Sequence, residues 1–487
     1  MSLPQKAEQP RSEKDYILHE LTRSVCPECL KLIDAKIVIR QEGRVTMLKR
    51  CPEHGEYEVL VASDADYYCN TLAYNKPGSI PCEFSTQIKD GCPRDCGLCP
   101  DHEQHTCLAL MEITQRCNMN CPVCYADSGN GGSGAGDSRE DVTLEQVRLM
   151  LDRYIAAEGK PEVLQISGGE PTLHPELHLI LHMARQSGLK AFLINTNGVR
   201  MAEDEAFVAG LKEFGPELEV YLQYDSLTPD VGKKLRGRDM GDVRRRALEN
   251  LEKHGICVNL VATLVKGLNE HEIASVIDEA VNRPYVTGVV LQLMTGVGRA
   301  AGIKNEPMER LTVPDVLRAI EEQTGGAFRQ DDFIPLPCPH PTCCSLTYAF
   351  VTGDRKKHIK PVTRYIDVRK YLDYFKNTLC IDARDILNEA IYHSVDRLWS
   401  ASASLRLVEV LKDFSRCCGI KFKPGQGPDP LQQIPGKPLR IVIKPFMDAF
   451  NYDLKRAKKC CVHILTQDGR MVPFCNYNIF YRGRRVD

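Results

Sequence analysis

Thr114-Gln-Arg-Cys117-Asn-Met-Asn-Cys121-Pro-Val-Cys124-Tyr125 sets three thiols on one short stretch directly after an apolar run, Leu108–Thr114. Thiolates are the ligands that iron–sulfur clusters require, and three of them leave one iron of a cubane without a protein ligand. Outward from this stretch the chain alternates. Apolar runs recur at Val163–Ile166, Ala191–Asn195, Leu218–Tyr224, Val258–Val265 and Val286–Met294. Amphipathic segments lie between them at Leu144–Ile155, Glu176–Gln186, Glu203–Phe214, Asp242–His254 and Glu270–Asn282. Thr143-Leu-Glu-Gln146 has capping-box spacing at the first of these. Strands separated by helices pair in parallel through right-handed crossovers. Six such units fall short of an eight-fold closed barrel. The expected fold is therefore α/β, a partial (β/α)6 barrel, open, with its active site at the C-terminal strand ends where the cysteine stretch lies.

The chain has 487 residues, enough for one large domain with smaller appendages. We expect a disordered tail at 1–15, a metal-bearing region at 16–107, the core at 108–310 and a cysteine-rich region at 311–487. A net charge of −2 gives no field that favours nucleic acid. The polar start MSLPQKAEQPRSEKDY lacks an apolar signal segment, and no apolar run spans a bilayer, so a cytoplasmic protein is expected. Of 22 cysteines, twelve precede residue 125, one is Cys257 and nine follow residue 337. In a reducing compartment such clusters bind metals rather than form disulfides. The Gly/Ser-rich stretch Ser128–Ser138 reads as a solvated insertion or a lid, and Gly425–Pro438 as a linker. Val462–Leu465 and Met471–Phe474 flank Gln467-Asp-Gly-Arg470, a hairpin signal.

The end of each predicted strand carries a motif. Ser167-Gly168-Gly169-Glu170-Pro171 ends the second and Asn195-Thr-Asn197-Gly198 the third. Gln223 and Asp225 close the fourth, Lys266-Gly-Leu-Asn269 the fifth, and Gly296-Val-Gly-Arg299 follows the sixth. With C-x3-C-x2-C before them, these resemble the radical S-adenosylmethionine (SAM) superfamily. The resemblance implies that Cys117, Cys121 and Cys124 hold a [4Fe–4S] cluster. Its open iron takes the methionine end of SAM, whose reductive cleavage releases a 5′-deoxyadenosyl radical. It also implies SAM contacts from Tyr125, Gly168, Gly169, Glu170, Asn195, Asn197, Gln223, Asp225, Asn269 and Arg299. One departure is Val123, where the superfamily usually has an aromatic residue against adenine; Tyr125 is the nearest substitute.

Further metal sites flank the core. Cys92, Cys96 and Cys99, then Cys107, have the spacing of an auxiliary [4Fe–4S] cluster or a zinc site. Cys26-Pro-Glu-Cys29 and Cys51-Pro-Glu-His54 are paired knuckles for one tetrahedral ion, zinc or iron. A rubredoxin-like iron would take Cys69 or Cys82 in place of His54. In the C-terminal part Cys338, Cys343, Cys461 and Cys475 are candidates for a third cluster, with the choice inside Cys343/Cys344 and Cys460/Cys461 open. Cys257 and Cys380 read as plain buried thiols, and Cys417 and Cys418 can be so read. His174 and His463 read as satisfied core or surface groups.

The stretches CPECL, CPEHG, GCPRDCGLCPDHEQHTCLALMEITQRCNMNCPVCYA and KCCVHILTQDGRMVPFCNYN resemble the tetraether (membrane-spanning) lipid synthase group, some of whose relatives carry an older label as pterin methyltransferases. That resemblance implies several [4Fe–4S] clusters and one mononuclear iron; with the spacings above we expect three clusters, one SAM-binding and two auxiliary, and one mononuclear iron or zinc. It implies a reaction that removes hydrogen from terminal methyl groups of two lipid chains and joins them. The implied partners are a membrane lipid, met peripherally, and a reductant such as ferredoxin or flavodoxin. Radical-dependent modification of a pterin-like small molecule is the alternative. From Tyr452 onward eight Lys/Arg against three Asp/Glu suit anionic headgroups, a solvated surface or the negative charge of clusters.

Overall fold

The computed structural model describes residues 14–129, 141–302, 306–353, 357–364, 367–379 and 437–482. Most of the Gly/Ser stretch, most of the 425–438 linker, and Cys380, Cys417 and Cys418 lie outside them.

Six apolar runs form the expected strands: β5 (Leu108–Glu112), β6 (Val163–Ser167), β7 (Ala191–Thr196), β8 (Leu218–Gln223), β9 (Cys257–Leu264) and β10 (Val286–Leu293). Helices separate them, among them α2 (Leu144–Glu158), α3 (Leu177–Gln186), α4 (Val199–Glu203), α5 (Glu205–Leu211), α6 (Pro229–Arg236), α7 (Gly241–Lys253) and α8 (Ile273–Asn282). Every residue of β5 and β6 is buried. That is why these strands read as continuous apolar runs: a parallel sheet is covered on both faces. Val220, Leu222, Leu260 and Ala262 join the core beneath the helices, whereas Tyr221 and Val261 turn to the lumen. Each large side chain buried this way contributes roughly 1.5–3 kcal/mol. Thr143 and Gln146 cap α2 reciprocally, at 3.3 and 2.9 Å.

The partial barrel is wider than six strands. Beyond α9 (Val313–Gln323) the chain forms β11 (Ile334–Pro335), β12 (Ser345–Thr352), β13 (His358–Pro361), β14 (Lys437–Pro445), β15 (Val462–Leu465) and β16 (Met471–Pro473). β14 adds to β10 and β15 to β5, both in parallel. The twelve-stranded sheet runs β11-β12-β14-β10-β9-β8-β7-β6-β5-β15-β16, with β13 on β12. The predicted hairpin is present, with Gly469 at φ +81° in its turn. Its outer strand extends the barrel.

At the N-terminal end β1 (Tyr16–Val25), β2 (Leu32–Arg40), β3 (Val45–Cys51) and β4 (Gly55–Ala62) make a separate antiparallel sheet, followed by α1 (Ala65–Leu72). Its core is small: Ala35, Ile37, Val45, Met47, Ala62 and Tyr68. Lys49 joins it to the C-terminal segment by donating to the carbonyls of Val25, Ala449 and Phe450 at 2.7–2.8 Å. Among the described residues no helix is long and apolar enough to cross a membrane.

Candidate active site and metal centres

Cys117, Cys121 and Cys124 lie on the loop after β5 and line one cavity of about 160 Å³ above the C-terminal strand ends. The loop is held from several sides. Arg299 donates to the carbonyls of Cys121 (2.9 Å) and Ser128 (2.7 Å), and its own amide donates to Cys124 (3.0 Å). Asn197 Nδ2 reaches Asn118 Oδ1 at 2.7 Å. Gly168 sits at φ +137°, and a Cβ there would stand 2.3 Å from the Thr114 carbonyl. A Cβ on Gly298 would come within 2.4 Å of the Cys124 carbonyl. Glycine at both positions lets neighbouring backbones close on the cysteine loop.

Gly168, Gly169, Asn195, Asn197, Gln223, Tyr125 and Arg299 also line the cavity. Glu170, Asp225 and Asn269 are buried behind it. The Glu170 carboxylate accepts from the Thr172 amide and hydroxyl, the Thr196 hydroxyl and the Asn197 amide at 2.6–3.1 Å, so it ties the second strand end to the third. Burial still pushes its pKa up. Asn269 bridges the carbonyls of Asp225 and Thr263. Burial works against the Asp225 charge, but Arg236 and then Arg244 bring it down to about 2. Tyr125 meets Ser167 Oγ at 3.1 Å, and Asn195 Nδ2 meets the same oxygen at 3.1 Å.

Burial raises the Cys117 thiol to about 12 and also lifts Cys121, where Arg236 opposes the rise. Arg236 was absent from the sequence reading. It lines the cavity, holds Asp225 at 2.6–2.8 Å and donates to the Val123 carbonyl. The available signal was a carboxylate, Asp225, at a strand end with arginines on the two helices that follow. The lumen wall was missed as well: Gln165, Tyr221, Gln292 and Lys444 face the cavity. Strand alternation places them there once β14 is recognised as a barrel strand.

The paired knuckles come together. One ligand atom from each of Cys26, Cys29, Cys51 and His54 lies within 4.8 Å of the others. Cys26 and Cys51 sulfurs stand 3.6 and 3.5 Å from His54 Nδ1. Cys51 falls to about 6 although burial opposes it, because His54 and the amides of Glu53 and His54 stabilise its thiolate. Cys69 and Cys82 are exposed and outside this group, and His54 supplies its fourth potential ligand atom. The donor set fits a tetrahedral ion.

The expected Cys92–Cys107 set needs correction. Cys107 gathers instead with Cys338 and Cys461, all three buried and mutually within 4.8 Å. It immediately precedes β5, and the amides of Cys107 and Leu108 donate to the Cys461 carbonyl at the start of β15. Strand pairing carries it to the lower end of the barrel, where the three thiols pack with Tyr221 and Val261. Cys338 drops to about 6, against its burial, through its thiol neighbours Cys107 and Cys461. Cys92 stays beside Cys96, whose sulfur accepts from Asn476 Nδ2 at 2.9 Å, and Cys96 and Cys99 are buried. The expected grouping of Cys338, Cys343, Cys461 and Cys475 divides likewise. Cys343 accepts from Arg456 Nε at 3.3 Å and Cys475 from the Met447 amide at 3.4 Å, apart from the Cys107 group.

Cys257 is half-buried on β9. His174 donates to the Val142 carbonyl and accepts from the Glu176 amide, and His463 is buried against His102 and Thr106, as satisfied core groups.

Comparison with known proteins follows the same division of the chain. Residues 111–280 match the radical SAM superfamily and residues 18–63 the HMPTM N-terminal zinc ribbon domain. A 7,8-dihydro-6-hydroxymethylpterin dimethyltransferase of Methanocaldococcus jannaschii is 32% identical over 96% of this chain and 94% of its own. An Fe-coproporphyrin III synthase of Methanosarcina barkeri is 28% identical over 41% of this chain and 47% of its own. Among solved structures, Streptococcus suis SuiB bound to its precursor peptide SuiA overlaps 46% of each chain at 16% identity, with a TM-score of 0.37. On the strength of the full-length relative and the core match, the chain belongs to the radical SAM superfamily and is an enzyme that uses SAM and a [4Fe–4S] cluster.

Proposed function

We propose that this enzyme carries out radical-dependent methylation or related modification of a pterin-like small molecule. The observation that carries this reading is the lumen wall. Gln165, Gln292 and Lys444, with Tyr221, turn amide, ammonium and phenol groups into the chamber below the cysteine loop. A pterin edge, alternating N–H donors with ring nitrogen and carbonyl acceptors, can pair with such groups. An alkyl chain would offer them no hydrogen-bond partner, and a buried polar group left without one costs about 1–3 kcal/mol. The activity of the Methanocaldococcus jannaschii relative, a pterin dimethyltransferase, agrees.

In this reading Cys117, Cys121 and Cys124 hold the cluster that, with SAM and one electron, supplies a 5′-deoxyadenosyl radical. Gly168, Gly169, Asn195 and Asn197 offer backbone and amide groups to the methionine end. Tyr125 and Gln223 close the chamber beside them. Glu170, Asp225, Asn269 and Arg299 position the strand ends and the loop. Arg236 places positive charge beside Cys121, which favours its thiolate. Cys92/Cys96/Cys99 and Cys107/Cys338/Cys461 serve as auxiliary iron–sulfur ligands, and the ribbon holds zinc. A one-electron carrier protein of ferredoxin or flavodoxin type supplies the electron.

A second reading, coupling of lipid alkyl ends, is favoured by a different observation. A cavity of about 60 Å³, with Ile37, Met47, Leu60 and Val313 in its wall, adjoins the chamber and shares Leu293, Met294 and Phe446 with it. An alkyl chain would suit the apolar part of that wall, which Arg310, Arg456 and Asp453 complete.

Anaerobic incubation of the reconstituted enzyme with SAM, reductant and either 6-hydroxymethyl-7,8-dihydropterin or a diether lipid separates the two. A methylated pterin supports the first reading. A cross-linked lipid with unaltered pterin overturns it.

A further inference from the structure

The outer layer of the barrel carries a third kind of ligand group, made of histidine and carboxylate. On α3 the buried face is Leu177, Ile180, Leu181 and Ala184. His178 and His182, one turn apart, flank that face and stack upward on the same side of the helix. Glu213 meets them from the turn Lys212–Glu217 that leads into β8. His178 Nε2 is in direct contact with Glu213 Oε1, and His182 Nε2 lies 3.4 Å from the same oxygen. One ligand atom from each residue falls within 4.8 Å of the other two.

We propose that His178, His182 and Glu213 form a surface site for a divalent transition-metal ion, zinc first among them. The donor chemistry, two imidazoles and a carboxylate, is the set that borderline ions of this class prefer. The 3.4 Å between His182 and Glu213 suits one ion, since ligands about 2.0–2.1 Å from a tetrahedral centre stand about 3.4 Å apart. The half-exposed His178 ring must draw back from the carboxylate to join them. The rings are already held. Phe214, fully buried, packs against both imidazoles with centroids 5.2 and 5.0 Å away, and the two rings meet edge to face at 5.1 Å. Arg185 is engaged elsewhere, pairing with Glu217 at 3.1 Å and donating to the Glu213 carbonyl rather than its carboxylate. Side-chain exposures of 48, 40 and 44% leave a path for a hydrated ion. A bound ion would staple α3 to the turn ahead of β8, the strand whose end carries Gln223.

The test uses holoenzyme with its iron–sulfur and ribbon sites filled, titrated with Zn²⁺ by calorimetry, and with Co²⁺ by absorption spectroscopy. The wild type should bind one further ion with micromolar affinity. Its Co²⁺ form should show weak visible bands without the intense sulfur charge transfer of a thiolate site. His182→Ala and Glu213→Gln should each weaken that binding about tenfold or more, and His178→Ala/His182→Ala should abolish it while SAM cleavage is retained. Equal stoichiometry and affinity in wild type and the double variant, or a thiolate-type Co²⁺ spectrum for the added ion, would overturn the proposal.

Discussion

Asp225 shows how much a single side chain organises. Its carboxylate, 0% exposed, takes Arg236 and Arg244 together and also accepts from the Thr263 amide. Asp225→Asn leaves two arginines buried without their counter-charge, and loss of one partner of a buried pair costs about 3–5 kcal/mol. Chemical denaturation should record that drop. A depressed carboxylate contributes stability that is complete above its ordinary range, near pH 4, and is lost as pH falls through about 2. The gap between wild type and variant should therefore stay flat from pH 6 to 9; a change of more than about 1 kcal/mol across that window contradicts the assignment. Gly168 makes a second test. Its φ of +137° costs an L-residue about 1–3 kcal/mol, and the added Cβ would press on the Thr114 carbonyl. Gly168→Ala should weaken SAM binding about tenfold or more, measured by equilibrium dialysis, because the cysteine loop must shift.

At the scale of elements, the ribbon sheet and the barrel depend on different forces. Strands β1–β4 enclose few large apolar side chains, so an ion held by Cys26, Cys29, Cys51 and His54 would carry much of the fold of that unit. Cys51→Ser should release about one equivalent of zinc and open residues 16–62 to hydrogen exchange, while β5–β10 stay protected. Loss of protection throughout the barrel would contradict that independence. The barrel strands were legible because apolar runs alternate with amphipathic helices, and the capping box at Thr143 marked the start of α2 correctly. Strand β14 was hidden for a physical reason. Two lumen residues of Lys437–Pro445, Arg440 and Lys444, break its apolar pattern. Its identity as a barrel strand depends on pairing with β10, which no local signal encodes.

Across the whole molecule the same limit explains the metal centres. Where donors are close in sequence, spacing was enough: the two knuckles meet, and Cys117, Cys121 and Cys124 line one cavity. Cys107 was assigned to its sequence neighbours, yet the β5–β15 pairing brings it to Cys461, and Cys338 arrives from the segment between β11 and β12. Lengthwise, the lumen therefore has a thiol group at its lower end and the cysteine loop at its upper end, with Tyr221 and Val261 common to the walls of both. Cys338→Ala should remove one auxiliary cluster's iron and leave the cluster at the cysteine loop in place. The most direct measurement combines iron analysis with electron paramagnetic resonance of anaerobically reconstituted Cys117→Ala/Cys121→Ala/Cys124→Ala enzyme, with and without SAM. The account predicts loss of one cubane's iron and of the SAM-responsive signal, no formation of 5′-deoxyadenosine, and retention of the remaining iron and zinc. Persistence of a SAM-responsive cluster in that variant would contradict it.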